Sequence, residues 1–122
     1  MPGEPGRRDA GCIFCKIAGG EIPTAPVSRS ARVIAIEDFN PQAPTHLLVL
    51  PVEHYPTLGD LSDAGDATLL GELFDTATQL GRERGGSGGF RIVINTGTQG
   101  GQTVGHLHLH VLTGRPMTWP PG

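Results

Sequence analysis

A chain of 122 residues has room for one domain with an adequate but not large core. A net charge of −3 excludes the broad positive footprint of a nucleic-acid or anionic-membrane binder, though not a local phosphate pocket, and no apolar run is long enough to span a bilayer. The 19 glycines and 11 prolines call for many loops and tight turns.

Residues 1–10 read as a flexible tail without the apolar stretch of a signal peptide, so the expected location is cytoplasmic. Cys12 and Cys15 are the only cysteines. In a reducing compartment their spacing points to metal binding or redox chemistry before a structural disulfide. Residues 12–18 fit a short helix stopped by Gly19 and Gly20. Residues 27–28 form a weak strand candidate, and residues 32–37, rich in β-branched side chains, a better one. Residues 38–45 are a loop. Residues 46–50 are apolar from Leu47 onward and predict a central strand covered on both faces.

The spacing predicts one long helix over residues 62–84, with Leu70, Leu73, Phe74, Ala77 and Leu80 on one face as core or dimer packing. Its cap falls to Asp60, Ser62 or Asp63. Gly85 to Gly89 break the chain. Residues 90–95 predict a strand with Phe90, Ile92 and Ile94 on one face, and Asn95 at its end can reach into a cleft. A turn-rich loop follows over 96–102, and the ending over 113–122 cannot be helical. Strands, one long helix, then two more strands predict a single α+β domain with an antiparallel sheet and helical cover on one side.

Chemistry concentrates in residues 106–112. His106, His108 and His110 alternate with Leu107, Leu109 and Val111. Strict alternation predicts a strand with the imidazoles on one face and the aliphatic residues buried on the other. Gly97, Gly100 and Gly101 lie just upstream, where backbone N–H groups can turn toward an anion. Thr103 can add a hydroxyl and Asn95 an amide. His108, flanked on both sides, is the best nucleophile. One ring nitrogen must attack phosphorus while the other holds its proton against an acceptor, and the usual imidazole pKa of about 6.5 leaves much of it neutral at pH 7. Attack would give a nucleotidyl-imidazole that water then breaks.

His106-Leu-His-Leu-His-Val-Leu112 resembles the histidine triad family motif, and residues 38–46, 95–110 and 117–122 resemble its Hint branch, the purine nucleoside phosphoramidases. The likeness runs from Cys12 to Gly122. It implies a HIT-like fold over 11–122: a five-stranded antiparallel sheet with one long and one short helix, joined in a homodimer as a continuous ten-stranded sheet. It implies hydrolysis of P–N bonds in AMP or GMP conjugates. His108 is then the nucleophile, oriented by the His106 carbonyl. His110 and Thr103 contact the α-phosphate and assist the leaving amine. Gly101, Gln102 and Thr103 border the phosphate beside Asn95, and Asp38 binds the ribose. Ile13, Phe14 and Phe39 wall the base pocket, with Phe39 standing where the family is usually aliphatic. His46 supports the site, and Trp119 lies near the partner subunit's site.

Cys12 and Cys15 also resemble the zinc-binding bacterial members, whose pattern implies a structural zinc on Cys12, Cys15, His54 and His106. The alternative is two reduced, buried thiols without metal. Asp38 reads equally as a turn former before Pro41. Three other functions remain open: a dinucleoside polyphosphate hydrolase or nucleotidyltransferase on the same fold, a nucleotide-binding interaction module with little turnover, and a thiol redox protein. The Trp119-Pro-Pro-Gly122 ending disfavours the first, and no redox scaffold supports the last.

Overall fold

Two-residue alternation in three strands sorts the side chains onto the two faces of one sheet. The computed structural model describes residues 7–122, so residues 1–6 of the expected tail lie outside the described residues. The elements are α1 (Ile13–Ala18), β1 (Ser28–Arg29), β2 (Val33–Glu37), β3 (Thr45–Pro51), α2 (Leu58–Ala64), α3 (Ala67–Gly85), β4 (Arg91–Ile94) and β5 (Leu109–Thr113), with a 3-10 turn at Gly86–Gly88. All five strands pair antiparallel in the order β1-β2-β3-β5-β4. The expected central strand is β3, held between β2 and β5 and buried from His46 to Pro51.

Val33, Ala35, Leu47, Val49, Leu109 and Val111 face one core with α2 and α3, joined by Leu107. Their alternate neighbours Ile34, Ile36, Leu48 and Leu50 face a second core with Phe14, Cys15 and Ile17 of α1. Helical cover is therefore on both faces, not on one as expected, because α1 brings its own apolar side to the histidine face. Phe90, Ile92 and Ile94 pack together against the α3 core as predicted.

The helix expected over 62–84 is two helices. Gly65 ends α2 in the left-handed region at φ 71°, a conformation that favours glycine. Asp66 then caps α3, its side chain accepting from Leu69 N at 3.0 Å. None of the three expected caps serves. Thr57 caps α2, and Asp60 answers as the third residue of a capping box, accepting from Thr57 N at 3.0 Å. The buried stripe of α3 is Leu69, Leu73, Ala77 and Leu80. Leu70 is only partly buried and Phe74 is 38% exposed, so the predicted face is rotated toward Leu69.

The Asp66 carboxylate also receives Arg32 at 2.5 Å, and Arg32 reaches Glu53 at 2.5 Å. One guanidinium thereby ties the start of β2, the end of β3 and the first turn of α3. Arg32 above all, then the Leu69 N–H, hold the Asp66 carboxyl below its ordinary range. Its contribution is present above the unfolded carboxylate pKa and is lost as pH falls through the folded value. We expect Asp66→Ala to cost about 1–2 kcal/mol in urea unfolding at pH 7, the range for losing a cap. Asp66→Asn should cost less, because its amide oxygen still caps Leu69; equal losses would assign the whole effect to the Arg32 pair.

Candidate active site and metal centre

The histidine face is built by β5 and the chain entering it. Only Leu109–Thr113 pairs as a strand, so His106 and His108 precede it, contrary to the expectation of a strand throughout. The alternation survives nonetheless. Leu107, Leu109 and Val111 are buried on the α3 side, and the His108 and His110 rings stand 5.0 Å apart on the other. Phe14 from α1 presents its ring edge-on to His106 at 5.7 Å and to His108 at 5.1 Å. It is buried, so it backs the imidazoles more than it walls an open pocket.

The protons on these rings follow from their partners. His108 Nδ1 lies 2.7 Å from the His106 carbonyl oxygen, which can only accept. His108 therefore carries its proton on Nδ1, and Nε2 keeps a lone pair. His110 has the opposite polarity. Gln42 N–H donates to His46 Nδ1 at 3.0 Å, which puts the His46 proton on Nε2, 2.8 Å from His110 Nδ1. His110 accepts there and carries its own proton on Nε2. Register explains the contact: His46 pairs with Leu112 and Leu48 with His110, so the two histidines are diagonal neighbours on one face.

Burial is the main cause that lowers all three triad rings, taking His106 and His110 to about 4 and His108 below its usual value. The triad is tuned toward neutrality, not left at the ordinary imidazole value the sequence suggested. Asp38 works in the other direction on His108 and His110. Its Oδ1 accepts from Asn40 N at 2.8 Å, the turn-forming role, while Oδ2 faces His46 Nε2 at 3.4 Å.

The glycine loop is braced from within. Gly101 adopts φ 84°, and any side chain on Gly100 would strike the Thr96 carbonyl. The Gln102 carboxamide is fully engaged, donating to Pro56 O at 2.7 Å and Val104 O at 2.9 Å while accepting from Gly97 N at 3.0 Å. Backbone N–H groups of Gly101 and Gln102 bond Thr98 and Gly97. Gln102 is thus a brace. Val104 and Gly105, which sequence reasoning passed over, join Thr103 and Ile13 in lining a cavity of about 470 Å³ whose other wall is Asp9, Gly11, Cys12 and His54. Ile13 and Phe39 are 43% and 68% exposed, and Asn95 sits just past β4, partly buried.

The second cluster is Cys12, Cys15, His54 and His106, whose ligand atoms lie within 4.8 Å of one another. Cys12 Sγ is 3.3 Å and Cys15 Sγ 3.6 Å from His106 Nδ1; His54 Nδ1 is 3.3 Å from Cys15 Sγ and 3.2 Å from His106 Nδ1. Tetrahedral zinc with its usual bond lengths demands S···N and N···N edges of about 3.6 and 3.3 Å. The four can hold a metal with little movement. His106 Nε2 donates to Pro51 O at 2.8 Å, leaving Nδ1 free to ligate. Cysteine spacing made two of these ligands legible; no local pattern marked Pro51 or Gln42.

A HIT domain model matches residues 19–117. The chain is 43% identical over 116 residues to adenylylsulfatase HINT1 of Arabidopsis thaliana, spanning 93% of this chain and 78% of that one. It is 42% identical over 115 residues to a 14 kDa zinc-binding protein of Zea mays, spanning 93% and 90%. The crystal structure of a HIT family hydrolase from Legionella pneumophila superposes with a TM-score of 0.87 at 47% identity, covering 92% of this chain and 100% of that one.

Because burial holds His110 at about 4 against the usual 6.5, the neutral ring's contribution is intact above about 6.5 and is lost as pH falls through about 4. Urea midpoints measured from pH 7 to pH 4 should fall more steeply for the unsubstituted chain than for His110→Asn. Parallel profiles would show that His110 titrates normally.

Proposed function

This chain belongs to the HIT domain family, and from that premise we propose that it is a nucleotide hydrolase cleaving the P–N bond of purine nucleoside 5′-phosphoramidates. The observation that carries the reading is the His108 ring, neutral, nearly enclosed, and held by the His106 carbonyl so that Nε2 is the free nitrogen. Beside it stands a ring of opposite polarity, a donor next to a lone pair.

In the proposed reaction His108 Nε2 attacks the α-phosphorus. A bond forms between that nitrogen and phosphorus, and the bond from phosphorus to the amine breaks. The leaving nitrogen takes up a proton by way of the His110 N–H. Water then adds to phosphorus, returns a proton, and frees His108 and the nucleoside monophosphate. Thr103, with the neighbouring amides of Val104 and Gly105, borders the phosphate; Gly101 and Gln102 shape that loop, and Asn95 stands by. Asp38 takes the ribose hydroxyls, and Ile13, Phe14 and Phe39 take the base. His46 backs His110. The name of the Arabidopsis relative, adenylylsulfatase, adds sulfate to the candidate leaving groups on the same phosphorus.

Zinc is the proposed metal of the Cys12, Cys15, His54 and His106 cluster, supported by the edge lengths and by the name of the Zea mays relative. Four protein ligands leave no open position, so its contribution is to hold the chain. A homodimer is the proposed assembly, supported by the exposed Phe74 on α3, with Trp119 near the partner subunit's site. Among the described residues no helix is long and apolar enough to cross a membrane. Cytoplasmic residence stays a proposal.

Three measurements test these statements. His108→Ala should lower kcat on an aminoacyl or alkyl adenosine phosphoramidate by roughly a thousandfold or more while nucleotide affinity changes little. Turnover by the intact enzyme, quenched in denaturant at alkaline pH where a P–N bond to imidazole survives, should show an AMP-sized mass on the peptide carrying His108. Normal cleavage by the variant, or faster cleavage of diadenosine polyphosphates by the intact chain, would defeat the phosphoramidase reading. Metal analysis of chelator-free protein should find about one zinc per chain, lost in Cys15→Ser.

A further inference from the structure

Residues 7–9 were expected to belong to a floppy tail, yet the structure fastens them at the metal cluster, ahead of the stretch the family model covers. His54 N–H donates to the Arg7 carbonyl, and Arg7 Nε donates to the His54 carbonyl at 3.0 Å. The Arg7 guanidinium lies 4.2 Å from the centre of the Tyr55 ring, the next residue along. Asp9 N–H points at Cys15 Sγ at 3.5 Å. The Asp9 carboxylate accepts from Gly11 N at 2.8 Å and places its other oxygen 3.9 Å from His54 Nε2. Its carbonyl accepts from Cys12 N at 3.1 Å. Asp9 thus touches or faces three of the four candidate ligands.

We propose that Arg7 and Asp9 form a strap that positions the ligands and slows metal release, making the segment before α1 part of the metal centre. The inference rests on the zinc reading above. Its chemistry follows from the partners. A thiolate holds its charge better when a backbone N–H points at it. A carboxylate facing the far nitrogen of a ligating imidazole favours the proton there, and so the lone pair on Nδ1. At 3.9 Å the Asp9–His54 contact is electrostatic, beyond hydrogen-bond length. The Arg7–His54 backbone pair fixes where His54 stands. Arg7 and Asp9 are positioning residues, not ligands.

Zinc content and affinity, by competition with a colorimetric chelator, are measured on the full chain first. Asp9→Asn keeps an acceptor for Gly11 N but removes the charge facing His54; it should weaken zinc binding about tenfold, and a chain beginning at Ala10 about a hundredfold, the span for outer-shell partners. Asp9→Glu should restore most of the loss. Trypsin gives an independent reading on the unsubstituted chain: cleavage after Arg7 and Arg8 should be slow with zinc and fast after chelation. If the full chain binds zinc but both variants hold it as tightly, or trypsin cuts equally with and without zinc, the strap is wrong and the zinc site stands. If the full chain takes up no zinc, the zinc reading itself falls.

Discussion

The bond from His108 Nδ1 to the carbonyl of His106 is the contact on which the candidate site depends. A buried ring N–H must find an acceptor, and a neutral imidazole has one proton to place. Giving that proton to a carbonyl two residues back in the same chain fixes both the tautomer and the ring plane. The carbonyl is free to accept because the β3–β5 ladder stops at the Val49–Leu109 pair. Had the strand run through residue 106, as alternation alone predicts, that oxygen would face a neighbouring strand. The shortened strand is what makes an oriented lone pair possible.

The same backbone carries the second centre. The His106 ring is oriented by Pro51 at the end of β3, and Leu107 N–H donates to Tyr55 O at 2.7 Å, beside His54. The metal cluster and the candidate nucleophile therefore share one residue, whose side chain serves one and whose carbonyl serves the other. Displacing the His106 ring would move the acceptor that holds His108.

Much of this was legible in the sequence because period-two alternation is a strong signal. The separation of Leu107, Leu109 and Val111 from the triad follows directly from it. β2 and β3 are apolar on both faces, so their composition marks covered strands but not which of Val33 and Ile34, or Leu47 and Leu48, faces which core. The cysteine pair marked half of the metal cluster. What escaped depends on contacts distant in sequence or on local choices between similar residues. Thr57, Asp60, Ser62, Asp63 and Asp66 all offer capping oxygens, and only the left-handed turn at Gly65 decides where one helix ends and another begins. Gln102 in a glycine loop looks like a ligand contact, but its carboxamide closes the loop. Nothing near Gln42 announces that its N–H, four residues before His46, sets a tautomer; the His46–His110 contact itself spans 64 residues.

Opposite polarity on adjacent rings is the more demanding arrangement. Two neutral imidazoles side by side could each present a donor or a lone pair, and only one of four combinations puts the lone pair on His108 and the N–H on His110. The fold selects it with two backbone groups of opposite sense: a carbonyl under His108, and the Gln42 N–H behind His46. Burial keeps both rings from gaining a second proton near neutral pH, which would erase the distinction. A cation at His108 would have no lone pair to offer phosphorus. The low proton affinity and the fixed tautomers are thus one device, each idle without the other: burial supplies the first, and the His106 carbonyl and the Gln42 N–H supply the second.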